Sequence, residues 1–125
     1  MNLNQVTVPT INMEASVAFY RHLGLKIIVD AAPRYVRFEC PQGDATFSIH
    51  QIDELGVGEA PVIYFETQQL DAEVQRLQEL GIGFELLPTD QSWGWREARL
   101  TDPAGNKVVL FWGGAYRKNP PWRVK

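Results

Sequence analysis

The chain has 125 residues, of which 45% are hydrophobic and 11% aromatic, enough for one domain with a buried core and too apolar for a disordered segment. Fifteen acidic against twelve basic side chains give a net charge of -3, so phosphate backbones meet no general attraction and nucleic acid is not an expected partner. The longest apolar run, Val108 to Trp112, is far short of the roughly 20 residues a membrane-crossing helix needs; with no secretory-type start at Met1, a cytoplasmic protein without membrane partners is expected.

A first strand pattern covers Leu3 to Pro9. The spacing of Met13, Val17, Tyr20 and Leu23 predicts a helix over residues 13–23, with Asn12 as N-cap, Glu14 in the first turn and Gly24 as the left-handed cap. Three strands follow, Lys26 to Asp30, Tyr35 to Cys40 and Ala45 to Gln51. Cys40, the single cysteine, excludes an internal disulfide and reads as a small buried hydrophobe in its strand. Residues 52–61, with Gly56, Gly58 and Pro61, read as a linker.

The order then repeats. A strand over Val62 to Glu66 precedes a helix over residues 70–80, on which Leu70, Val74, Leu77 and Leu80 keep the spacing of the first helix, and Gly81 closes it. Strands at Phe84 to Leu87, Arg96 to Thr101 and Lys107 to Trp112 complete the second set, and a tail occupies residues 113–125. An offset of 57 residues lays Thr10, Ala15, Val17, Leu23 and Gly24 on Thr67, Ala72, Val74, Leu80 and Gly81. One such unit leaves a sheet face uncovered, so two units are expected to pair or to curl around a cavity. Residues 1–125 are therefore expected to be a single domain, with modules at about 1–51 and 62–112.

The segments NQVTVPTINMEASVAFYRHLGL, VIYFETQQLDAEVQRLQELGI and WREARLTDPAGNKVVLF, the last with a DPxGN turn before an apolar strand, carry a resemblance. On them the chain resembles the vicinal oxygen chelate superfamily, which includes glyoxalase I, bleomycin-resistance proteins, fosfomycin-resistance transferases and extradiol dioxygenases. The resemblance implies an α+β fold in which two tandem βαβββ modules form a curved, cup-like mixed sheet with helices on the outer face, commonly completed by dimerisation. Members range from metal enzymes to metal-free binders, so function has to come from the site.

In metal-using relatives one ligand comes from the first strand and one from the last strand of each module; the matching positions are Gln5, Ser48, Val62 and Val109, with Phe47 replacing Ser48 if one hairpin carries an extra residue. Two aliphatic and two neutral side chains do not suit a divalent ion in either register, so no metal and no cofactor is expected. Alternation puts Val6, Val8, Phe47, Ile49, Ile63, Phe65, Val108 and Leu110 on the helix side. It leaves Gln5, Thr7, Thr46, Ser48, His50, Val62, Tyr64, Glu66, Val109 and Phe111 for the cup, a mostly apolar lining of the kind that holds small molecules.

His50 and Glu66 are the candidate catalytic groups: together they would make an acid–base pair, and apart they read as a wall residue and a turn cap. His22, late in a helix, reads as a solvated imidazole. Trp93 and Trp95 flank Gly94 at the expected mouth, where they stack on a ligand or cover the core. Arg96 and Arg99 offer a guanidinium to an anion or form surface ion pairs. In the tail, Pro120 and Pro121 forbid helix and Trp122 invites docking on the domain or across a dimer, against a disordered end. The reading is a metal-independent homodimer that binds or sequesters a small organic molecule at Gln5, Thr7, Ser48, His50, Tyr64, Glu66, Trp93, Val109 and Phe111. Two alternatives stand beside it: a glyoxalase-like lyase or isomerase using atypical ligands, and a dimerising module whose cup is filled by its own side chains.

Overall fold

A computed structural model describes residues 1–125. The element order is β1 (Gln5–Thr10), α1 (Met13–His22), β2 (Lys26–Ala31), β3 (Tyr35–Glu39), β4 (Thr46–Gln51), β5 (Val62–Glu66), α2 (Leu70–Glu79), β6 (Leu86–Asp90), β7 (Arg96–Thr101) and β8 (Lys107–Trp112). The fold is α+β, two βαβββ modules in tandem, and their backbone ladders form two four-stranded sheets of order β1-β4-β3-β2 and β5-β8-β7-β6. In each sheet the first and last strands of the module run parallel and the remaining pairs are antiparallel. Packing divides the chain into two compact units, Met1–Glu59 with Asp102–Asn106, and Ala60–Thr101 with Lys107–Lys125.

In the first unit, α1 starts where Asn12, in extended conformation, accepts a hydrogen bond from the Ala15 N–H at 3.1 Å. It stops at Gly24, whose φ of +96° a side chain would resist. The buried stripe of α1 is Met13, Ser16, Phe19 and Tyr20, whereas Val17 and Leu23, expected on that stripe, are only half-buried. The difference has a polar cause: the Ser16 hydroxyl is satisfied by Thr10 Oγ1 at 2.7 Å, so a hydroxyl can take a core position at little cost. Tyr20, Phe38 and Phe47 pack as one aromatic cluster, Tyr20 and Phe47 at 4.5 Å between centroids.

The DPAGN turn belongs to this unit, and its chemistry explains its composition. Asp102 Oδ1 accepts the Ala104 and Asn106 backbone N–H groups at 2.9 and 2.8 Å, while Oδ2 accepts Asn106 Nδ2 at 2.7 Å and the Tyr20 hydroxyl at 2.6 Å. Asn106 Nδ2 also donates to the Pro9 carbonyl. A buried carboxylate is tolerated because all its acceptor sites are used. Burial first, and then the Asp102 charge, push the Tyr20 phenol far above its ordinary range.

In the second unit, Leu70, Val74 and Leu77 of α2 are buried, and Ile63, Ala98, Leu100, Val108 and Leu110 are buried on the sheet. The strand expected at Phe84 to Leu87 forms instead at Leu86–Asp90, across a register shift between Leu86 and Thr89. Pro88 argues against a strand in sequence, and β6 accepts it because it is an edge strand. Cys40 is likewise displaced from expectation: it follows the end of β3 and is half-buried, and burial pushes its thiol up. The tail begins with a short 3-10 turn, Gly114–Arg117, ahead of the two prolines. Trp122 packs edge-on to Tyr116 at 5.9 Å.

Candidate functional site

Both sheets have one face without a helix, and the registers place on it the residues singled out by alternation. In the first sheet, cross-strand rows run Gln5–Thr46–Glu39, Thr7–Ser48–Arg37 and Pro9–His50–Tyr35. In the second they run Val62–Lys107–Thr101, Tyr64–Val109–Arg99 and Glu66–Phe111–Glu97. Because Thr7 and Tyr64 are related by the repeat, Ser48 is the counterpart of Val109, which settles the register question in favour of Ser48 over Phe47.

The first face is polar. Thr7 and Ser48 share a hydrogen bond at 2.6 Å, Thr46 Oγ1 donates to Gln5 Oε1 at 2.7 Å, and Ser48 is fully buried. Tyr35 and Arg37, absent from the sequence-derived lining, belong to the same cluster: Arg37 Nε donates to the Tyr35 hydroxyl at 2.8 Å, and its guanidinium carbon lies 5.5 Å from the ring centroid. The Ser48 hydroxyl, helped by Arg37 and Gln5, holds the Tyr35 phenol below its usual range. His50 is exposed, directly opposite Tyr35 in the ladder.

The second face is aromatic. Trp95 stacks on Phe111 at 4.6 Å and 22°, and Tyr64 meets both rings edge-on at 6.2 and 5.6 Å. Tyr64 is half exposed, Phe111 and Val109 are buried, and Trp93 keeps 39% of its surface. Beside Phe111 in the ladder is Glu97, 2% exposed, whose Oε2 accepts the Trp93 indole N–H at 3.0 Å and whose Oε1 accepts Arg99 Nη2 at 3.1 Å. Glu97 was legible in principle, since it alternates with Ala98 and shares the parity of Arg99, but a lone acidic residue inside a strand pattern reads as solvent-facing. Glu66, by contrast, accepts from the Gly113 N–H at 3.4 Å and pairs with Arg117 at 3.6 Å, the arrangement of a strand-end cap. Arg96 is committed to a surface network with Asp71 and Asp90, which raises its already high pKa. His22 stands in the last turn of α1.

Glycine sets the loop that carries the tryptophans. Gly94 has φ +86°, and a Cβ there would come within 1.9 Å of the Tyr116 ring; at Gly113 a Cβ would meet the Trp95 indole at 3.0 Å. The first unit also has an open cleft of about 410 Å³ between α1 and the β2–β3 hairpin, lined by Met13, Val17, Ile27 and Val36 among others. It lies on the helix side and includes none of the residues above.

The model of the Glyoxalase/Bleomycin resistance protein/Dioxygenase superfamily matches residues 2–110. The chain belongs to this superfamily. Among solved structures, a glyoxalase/bleomycin resistance protein/dioxygenase from Nocardioides is similar with TM-score 0.78 and 21% identity, over 100% of this chain and 90% of that one. Lactoylglutathione lyase from Agrobacterium tumefaciens gives 0.75 and 21%, over 90% and 93%. A bleomycin-binding protein complexed with bleomycin gives 0.71 and 20%, over 91% and 99%. At these identities the likeness is one of fold. No curated protein matches the chain in sequence.

Superfamily membership raises the question of a metal, and the donor set answers it. Of the four positions expected to hold ligands, Val62 and Val109 have only carbon to offer, the Ser48 hydroxyl is taken up by Thr7, and Gln5 Oε1 by Thr46. No cluster of three or more His, Cys, Asp or Glu side chains suits an ion. These residues do not fit a divalent metal. No helix is long and apolar enough to cross a membrane.

Proposed function

We propose that the chain is a metal-independent cytoplasmic homodimer that holds small organic molecules on the helix-free face of a sheet, in the manner of a bleomycin-binding protein. The observation that carries this reading is the aromatic face of the second sheet. Tyr64 and Trp93 are partly exposed around the Trp95–Phe111 stack, with a buried carboxylate fixing the Trp93 indole. Exposed rings held in place have little conformational freedom to lose on binding, which is what a sequestering site needs. Gln5, Thr7 and His50 supply hydrogen-bonding groups on the first face, where the fully buried Ser48 holds Thr7 and Tyr35 in place instead of meeting a ligand, and Val109 and Phe111 form the floor of the second. A thermal-shift screen with planar organic compounds tests the reading: protection is expected, and its loss in both Tyr64→Ala and Trp93→Ala places the ligand. No protection by any compound, or protection unchanged in both variants, overturns it.

A second reading is a glyoxalase-like lyase or isomerase, with His50 and Glu66 among its candidate groups. What favours it is the row Pro9–His50–Tyr35, which sets the His50 imidazole opposite a phenol held by Arg37. A stoichiometric ion in protein purified without chelator, lost together with a lyase or isomerase activity, would decide for this reading against the first.

A further inference from the structure

We infer that the ligand is a planar organic carboxylate whose charged group is read by Arg99, an inference that rests on the binding function proposed above. Arg99 stands in the central row of the second sheet, Arg99–Val109–Tyr64, on the same face as the aromatic cluster. Its Cα is two strand spacings, about 10 Å, from that of Tyr64, so a single- or double-ring compound spans from the tyrosine to the guanidinium.

The two arginines of β7 are used differently. Arg96 spends Nε, Nη1 and Nη2 on Asp71 and Asp90. Arg99 spends one nitrogen, Nη2, on Glu97, and its other two make no hydrogen bond within the chain; its side chain is 47% exposed. Glu97 does not compete for a cation or present its charge to solvent, because it is 2% exposed and both oxygens are occupied, one by Arg99 and one by the Trp93 indole. The buried carboxylate therefore acts as a positioning residue: it fixes one corner of the guanidinium and one stacking ring with a single side chain. The free guanidinium nitrogens suit an oxyanion, and the planar fork favours a carboxylate.

The first sheet repeats the device. Arg37 holds the equivalent place in the row Thr7–Ser48–Arg37, and it too is anchored by the side chain two residues earlier on its strand, here the Tyr35 hydroxyl at 2.8 Å. An arginine in the central row, pinned from the preceding same-face position, thus occurs once per sheet with a different anchor each time. Packing the helix against the opposite face does not require it.

The test uses the full-length protein and three probes of one shape: 2-naphthoate, the neutral 2-naphthalenemethanol and the cationic 2-naphthylmethylammonium, titrated by calorimetry. The expected result is that naphthoate binds at least tenfold more tightly than the neutral probe. Arg99→Gln should abolish that preference, and a cooperative unfolding transition like that of the unmodified protein reports that the variant is folded. Equal or tighter binding of the neutral or cationic probe to the unmodified protein overturns the inference and leaves the binding function standing. A preference that survives Arg99→Gln but disappears in Arg37→Gln overturns the assignment to Arg99. Failure of all three probes to bind overturns both the inference and the function it rests on.

Discussion

Replacing Tyr20 by Phe removes one hydroxyl from the Asp102 hub without changing the aromatic packing around it. Asp102 then keeps three of its four donors, the two turn N–H groups and Asn106 Nδ2. A hydrogen bond to a charged group is worth about 1.5–3 kcal/mol, and that is the loss of stability expected near neutral pH. The pH dependence carries the sharper signature. The folded phenol is raised, so its contribution is complete below the unfolded pKa near 10 and is lost as pH climbs from there towards the folded value. From this tyrosine alone the unmodified protein loses about 1.4 kcal/mol per pH unit above about pH 10, and Tyr20→Phe loses nothing there. The two stabilities should therefore converge within roughly two pH units above that point, the remaining tyrosines acting equally on both proteins. Urea unfolding followed by tryptophan fluorescence across this range measures the gap. A gap that stays constant into the alkaline range, or no gap near neutrality, would refute the account of the turn.

Gly94→Ala should destabilise by at least the roughly 1–2 kcal/mol that a left-handed backbone costs a residue with a Cβ, and more where Tyr116 has to move; a melting temperature equal to that of the unmodified protein would contradict the packing of the tryptophan loop. Leu77→Ala, at a position 1% exposed, should cost about 2–5 kcal/mol by chemical denaturation. Zinc, nickel or manganese added to chelator-treated protein should not shift the melting temperature, and a saturable rise would show that the donor set has been misjudged. Tyr35 ionises more readily in the folded state than in the unfolded chain, so its contribution appears as pH rises through the folded pKa towards about 10. Tyr35→Phe should remove that alkaline gain; ultraviolet titration of the phenol at its ordinary value would count against the Ser48–Arg37–Gln5 cluster.

The repeat, both helices and the helix-side residues were readable because amphipathic spacing and strand alternation are local properties, fixed by the geometry of a few neighbouring residues. The same alternation put Gln5, Thr7, Ser48, Tyr64, Val109 and Phe111 on the helix-free faces, and the aliphatic character of Val62 and Val109 already spoke against a metal. The differences arise where a particular side-chain partner, which neither periodicity nor alternation encodes, satisfies a polar group, or where a strand falls at the edge of its sheet. Ser16 entered the core because Thr10 satisfies it, and Pro88 entered a strand because that strand lies at an edge. Tyr35, Arg37 and Glu97 join the site through partners on their own strand or in the loop just before it, and Tyr35 also through the Ser48 hydroxyl on the neighbouring strand. Sequence alone determines which face each side chain takes, since that follows from its own backbone. Only tertiary structure decides which polar groups are buried together, because a charge or hydroxyl out of water is tolerated only where a partner, often distant in sequence, meets it.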